Sequence, residues 1–150
     1  YPANDLVLTF ASDNASAFIF DISNPASPVK ISRIETDDFG VILGVADSLG
    51  LSVAIEGNMA VLGAPSEQFN GLYKAGAVYI FDISDPVIPI KKEKLIPSDF
   101  SELKDFGRTL AVNSDVILIG TPNDNLGPIN SPSPLNNAGA AYLYDISSLT

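Results

Sequence analysis

Residues 50–65 read GLSVAIEGNMAVLGAP, and residues 107–122 read GRTLAVNSDVILIGTP. The two align without a gap, 57 positions apart, and their apolar positions coincide nearly throughout. Gly50 meets Gly107, Ala54 meets Ala111, Gly63 meets Gly120 and Pro65 meets Pro122. A second phrase recurs beside the first: ASAFIFDISNPASPVKI (15–31), AGAVYIFDISDPVIPIK (75–91) and AGAAYLYDISS (138–148), with Asp21, Asp82 and Asp145 in the same place. DLVLTFAS (5–12) is a worn copy of DVILIGTP (115–122). A repeat of this length is one unit of supersecondary structure, stacked because a single unit cannot bury its own faces.

Each unit is a run of short strands. FIFDI and VYIFDI are aromatic and β-branched, as a pleated surface prefers. Glu56-Gly57-Asn58 and Asn113-Ser114-Asp115 supply the residues of tight hairpins, and SNPASP (23–28) and SDPVIP (84–89) are Pro-rich turns. No window carries a capped helical period; SDFSELKDFG (98–107) has room for a single helical turn. The pattern predicts four strands per unit. A lies near 50–56 and 107–113, and B near 5–11, 59–64 and 115–121. C lies near 16–22, 76–83 and 139–146, and D near 28–35 and 89–96. Four antiparallel strands in roughly 60 residues match a β-propeller blade.

The order Phe-Gly, strand, hairpin, strand, Gly-Ala-Pro, loop, Gly-Ala-Val-Tyr resembles the FG-GAP repeat, the blade of integrin-α-type propellers. DFG (105–107) stands for the Phe-Gly element, with Leu49-Gly50 in the other copy; GAP is intact at 63–65 and becomes Gly120-Thr121-Pro122; GAVYIFD (76–82) also fits. The phrase FDISNPASPVKI is similar to a second surface-propeller repeat, written around Asp-Ile-Ser-x-Pro. The expected fold is all-β, with about two and a half blades of four antiparallel strands in one propeller domain over 1–150. Residues 1–35 form a partial blade, 50–96 a full one and 107–150 a second partial one. A closed propeller takes about four to eight blades. The chain, which starts at Tyr1, therefore reads as a piece of a longer one or as a protomer that borrows its neighbours.

Composition removes several chemistries. Histidine and cysteine are both absent, which excludes Ser-His-Asp and Cys-His catalysis, histidine or thiolate zinc sites, and disulfides. DFG also occurs in protein kinases, but neither their catalytic loop nor a Gly-rich phosphate loop accompanies it here. A paired-carboxylate glycosidase remains chemically open, and with 18 acidic residues chance pairs are expected. The segment is read as non-catalytic. A net charge of −10 argues against nucleic acid and anionic membranes as partners. No apolar run is long and unbroken enough to span a bilayer.

The resemblance raises calcium, because many FG-GAP blades carry an Asp-rich loop between strands A and B. Here that place holds only the two short hairpins, so no cofactor is expected; PNDNLG (122–127) keeps calcium open as an alternative. In an antiparallel meander the A–B and C–D turns share one end of the blade, and the long B–C and D–A loops share the other. Long loops on a rigid scaffold are where binding concentrates. Asp37, Asp38, Asp47, Glu67, Asp99, Glu102, Asp105 and Asp124 fall in those loops, opposed only by Lys74 and Lys104. Asp37, Asp38, Asp99, Asp105 and Asp124 are the candidate ligand-binding residues, facing a basic protein patch, a carbohydrate or a cation.

Bland roles fit the remaining features. Lys30, Arg33, Lys91, Lys92 and Lys94 charge the outer strand D, which blocks unwanted edge pairing. Asp21, Asp82 and Asp145 cap turns. Tyr79, Phe81, Tyr142 and Tyr144 alternate along strand C and pack between blades. Asn14 begins a glycosylation sequon. The expectation is a secreted or cell-surface module for adhesion or scaffold assembly. Two alternatives are a substrate-recognition propeller of a secreted enzyme whose catalytic part lies elsewhere, and a subunit of a self-assembling filament. Further partners are the remaining blades of a longer chain or neighbouring copies.

Overall fold

A computed structural model describes residues 5–11, 16–36, 48–99, 102, 104–124 and 138–149. Its ten strands are β1 (Leu6–Ala11), β2 (Ser16–Asp21), β3 (Val29–Ile34), β4 (Ser52–Glu56), β5 (Met59–Ala64), β6 (Ala77–Asp82), β7 (Ile90–Leu95), β8 (Thr109–Asn113), β9 (Val116–Thr121) and β10 (Ala140–Asp145). They form three antiparallel sheets in the orders β1-β2-β3, β4-β5-β6-β7 and β8-β9-β10. The chain is thus all-β, with strands B-C-D, then A-B-C-D, then A-B-C, as partial and whole propeller blades. Among the described residues there is no α-helix; part of the 98–107 stretch, where the sequence leaves room for a helical turn, lies outside the described residues. No described helix is long and apolar enough to cross a membrane.

The repeat in sequence is a repeat in geometry. Glu56 pairs with Met59 and Asn113 with Val116, so both A–B hairpins turn on two residues. Both C–D ladders slip by one residue at the same place, between Ile19 and Phe20 and between Ile80 and Phe81. After each strand C an aspartate accepts from a backbone N–H two residues on. Ser23 N donates to Asp21 Oδ1 at 2.8 Å, Ser84 N to Asp82 Oδ1 at 2.9 Å, and Ser147 N to Asp145 Oδ1 at 2.9 Å. These hydrogen bonds favour the charged form. All three carboxyls lie below the usual range, Asp82 at about 2, where Lys92 Nζ adds an ion pair at 3.1 Å.

Strand alternation sorts the core into two layers. One face of the second sheet presents Ala60, Leu62, Tyr79 and Phe81 to Leu6, Leu8, Ala17, Ile19 and Ile34 of the first sheet. The opposite face presents Met59, Val61, Val78 and Ile80 to Ile117, Ile119 and Ile146 of the third. The aromatic residues of strand C accordingly pack between sheets, with Tyr142 and Tyr144 against the second layer. The middle sheet is covered on both faces. Among the described residues the third sheet is covered on one, and Leu118 and Leu143 stand exposed on the other.

Each layer receives a plug from the elbow that leads into strand A. Ser48 and Asp105 adopt φ of 56° and 54°, and Gly50 and Gly107 follow at 83° and 89°. These are left-handed values, which suit glycine and are tolerated best by short polar side chains. The elbow drives the intervening apolar residue inward: Leu49 enters the first layer and Phe106 the second, both almost fully buried.

Candidate functional site

The long connections leave the end opposite the tight hairpins. Two carboxylates at equivalent repeat positions, Glu67 and Asp124, point back into the protein there and are buried. Each meets the tyrosine at the equivalent position of its own strand C. Tyr79 Oη donates to Glu67 Oε2 at 2.8 Å, and Tyr142 Oη lies 3.0 Å from Asp124 Oδ2. Each carboxylate also has a lysine, but from a different element. Lys94 of β7 lies 2.5 Å from Glu67 Oε1. Lys104, in the loop before β8, lies 3.2 Å from Asp124 Oδ2.

The second cluster is the larger. Lys104 is 1% exposed, and its ammonium also reaches Asp99 Oδ2 at 2.9 Å, the Asp99 carbonyl at 3.0 Å and the face of the Tyr142 ring at 5.1 Å. Tyr142 Oη has both Asp99 oxygens within reach, at 2.9 and 3.0 Å. A phenol has one proton, so Asp99 and Asp124 share it while the lysine bridges them. Burial and the two acceptor carboxylates push the Tyr142 phenol well above its ordinary pKa. Burial also pushes the Asp99 carboxyl up, but the hydrogen bonds from Lys104 and Tyr142 outweigh it, and the net shift is downward. The Tyr142 and Tyr144 rings stand edge-on to Phe106, with centroids 5.4 and 6.0 Å away. The charged cluster therefore sits directly on the plug.

The candidate residues separate into three groups. Asp105 and Asp124 are buried, Asp105 accepting from Asn123 Nδ2 at 2.6 Å. Asp99 keeps a largely exposed side chain, and Glu102 is exposed. Asp37, Asp38 and the sequon residue Asn14 lie outside the described residues. The sequence reading missed the tyrosine–carboxylate–lysine clusters. It treated Glu67 and Lys104 as loop charges and Lys94 as an edge guard. The signal was present, since Glu67 and Asp124, and Tyr79 and Tyr142, fall at matching repeat positions.

The A–B hairpins do not fit calcium. Two-residue turns leave no loop to wrap a cation that takes six to eight oxygens. Ser114 Oγ at one hairpin donates to Glu56 Oε1 at the other, 3.3 Å away. Among the described residues no group of three acidic side chains is arranged to hold a metal. At this hairpin end a cleft of about 420 Å³ opens beside Glu56, Asn58, Asp82, Ser84, Lys92 and Ser114, a place where the sequence suggested no site.

A family model described as the FG-GAP repeat matches residues 44–81 and 90–144, together more than half of the chain. A second model, the LVIVD repeat, matches residues 10–36, which include the first Asp-Ile-Ser turn. No curated protein matches the chain.

Proposed function

The chain belongs to the FG-GAP repeat family, and we propose on that premise that it is a non-catalytic binding module of an extracellular or cell-surface protein. Repeats of this family are typical of extracellular binding and structural modules. The ligand surface is the long-loop end, and the ligand is a carbohydrate or a basic protein patch. One observation carries the reading. The described ends of the long connections lie at the end of the three-sheet frame opposite the tight hairpins, and the carboxylates Asp99 and Glu102 are exposed there.

Within this reading the acidic residues divide the work. Asp99 and Glu102 meet the ligand, together with Asp37 and Asp38 of the preceding loop of the same type. Asp105 and Asp124 position the loops, because their carboxylates are buried and engaged by Asn123, Lys104 and Tyr142. A rigidly held rim loses less entropy on binding than a loose one.

The test is binding to immobilised panels of glycans and of basic extracellular proteins, for the natural chain and for Glu102→Lys and Asp99→Asn. The expected outcome is a retained ligand class whose binding weakens in both variants and falls with rising salt. Equal binding by all three chains, or no binding in either panel, contradicts the proposal.

A further inference from the structure

Among the described residues Lys104 is the one buried cation, and its ammonium meets two carboxylates in unlike surroundings. Asp124 Oδ2 lies 3.2 Å away, on a residue that is 5% exposed. Asp99 Oδ2 lies 2.9 Å away, on a side chain that is 62% exposed. The Asp99 carbonyl accepts from the same nitrogen at 3.0 Å, and the Tyr142 ring covers it. Tyr142 Oη stands 3.0 Å from Asp124 Oδ2 as a hydrogen-bond donor. An amine and a carboxyl are thus shut away from water together, with a second carboxylate on the same nitrogen that still reaches solvent.

An ammonium–carboxylate pair in water does not condense, because the nitrogen keeps its proton and the two groups drift apart. Burial weakens both obstacles. It disfavours both charges, so a proton passes more easily from Lys104 Nζ to Asp124, leaving an amine beside a carboxylic acid. It also holds the two in contact, where fixed geometry replaces the entropy cost of encounter.

We propose that Lys104 and Asp124 condense to an intramolecular amide, an isopeptide bond, with Asp99 as the proton carrier and Tyr142 as the donor to the carboxyl oxygen. The Nζ lone pair attacks Asp124 Cγ, one bond beyond the contacted Oδ2. Asp99 takes a proton from the attacking nitrogen, and the Tyr142 hydroxyl steadies the charge that grows on Oδ2. The new N–C bond stays and the bond from Cγ to the other carboxyl oxygen breaks. That oxygen leaves as water with the two protons the ammonium gives up, one of them by way of Asp99. Nothing is oxidised or reduced, and the net charge of the chain is unchanged.

The equivalent pair of the second sheet is an internal control. Lys94 is a quarter exposed beside Glu67, so water keeps its ammonium charged and no bond is expected there. A bond from 104 to 124 closes the open end of the β8–β9 hairpin, whose other end turns on two residues. The ring so formed contains the Phe106 plug and restrains the unfolded chain as a disulfide does, in a chain that has no cysteine. The proposal does not rest on ligand binding by the acidic loops. Mass reads the one and binding reads the other, so either can fail alone.

The experiment measures the intact mass of the whole purified chain, fresh and after days at neutral pH. The natural chain is expected to become one water lighter than its sequence. Tandem mass spectrometry of a digest is expected to show Lys104 joined to Asp124, with Lys94 and Glu67 unlinked; this reading needs no variant. Lys104→Arg keeps a cation for both carboxylates and stays at full mass. Asp99→Asn, at an exposed side chain, slows closure by at least about a hundredfold. A natural chain of full mass at both times, a lost water mapped to any other pair or to a cyclised aspartate, or closure of Asp99→Asn at the natural rate overturns the proposal.

Discussion

The two junctions between sheets share a plan and differ in finish. The first is sealed by Leu49 and tied by a described side-chain hydrogen bond from Ser32 Oγ to the Pro86 carbonyl, 2.5 Å long. The second is sealed by Phe106 and laced with polar groups: Ser52 to Gly107, Ser114 to Glu56, and Tyr144 Oη to the Ile96 carbonyl at 3.0 Å. Stacking therefore depends on the alternating apolar residues and the elbow plug, which both junctions have. The polar decoration is local. Buried ion pairs add little net stability once desolvation is counted, but breaking one leaves a charge stranded.

The largest expected effect falls on the plugs. Phe106→Ala is predicted to cost about 3–5 kcal/mol and Leu49→Ala about 2–5 kcal/mol, read from urea unfolding midpoints. Comparable losses confirm that the plugs do the same work. A loss under about 1 kcal/mol at either breaks the equivalence. Next are the lysines. Lys104→Met strands the buried Asp124 carboxylate and is expected to cost about 3 kcal/mol. Lys94→Met removes an ammonium that is a quarter exposed and already partly screened by water, and leaves the buried Glu67 its hydrogen bond from Tyr79, so it is expected to cost less, about 2 kcal/mol. The reverse order contradicts the contrast between the two clusters.

A smaller pair of effects lies in the phenols. Tyr142→Phe and Tyr79→Phe each remove a donor from a buried carboxylate, at about 1 kcal/mol. Tyr142 adds a pH signature. Its folded pKa is raised, so the contribution is complete below the unfolded value of about 10 and fades as pH rises beyond it. Tyr142→Phe should flatten stability against pH above 10. The smallest effect belongs to the turn aspartates. Their folded pKa values are depressed, so their contribution holds above the unfolded value of about 4 and is lost as pH falls toward about 2. Asp82→Asn keeps an acceptor oxygen for Ser84 N and should lower the acid slope while leaving stability at pH 7 nearly unchanged.

The strand plan was legible because period-two alternation and hairpin chemistry are local. β4, β5, β8 and β9 lie close to where the aligned segments put them, and Asp21, Asp82 and Asp145 make the turn contacts their spacing implied. The charged loops were less legible. Their composition suggested an acidic surface, yet Glu67 and Asp124 turn inward. Only the fold brings Lys94 and Lys104 to them, across sequence separations that no periodicity reports. Asp105 was misleading for another reason. Its left-handed backbone serves the elbow, a role that composition does not reveal.

The central claim is that successive repeats lie side by side as stacked blades, with equivalent hairpins adjacent. Because the chain has no cysteine, a Glu56→Cys/Ser114→Cys double variant tests this without background. Those side chains meet across the second junction at 3.3 Å. Under mild oxidation, or with a short bifunctional thiol-alkylating reagent, the pair should close rapidly within one chain, seen as a single linked fragment 56–114 by mass spectrometry. Two persistently free thiols, or links only between chains, would contradict the stacking.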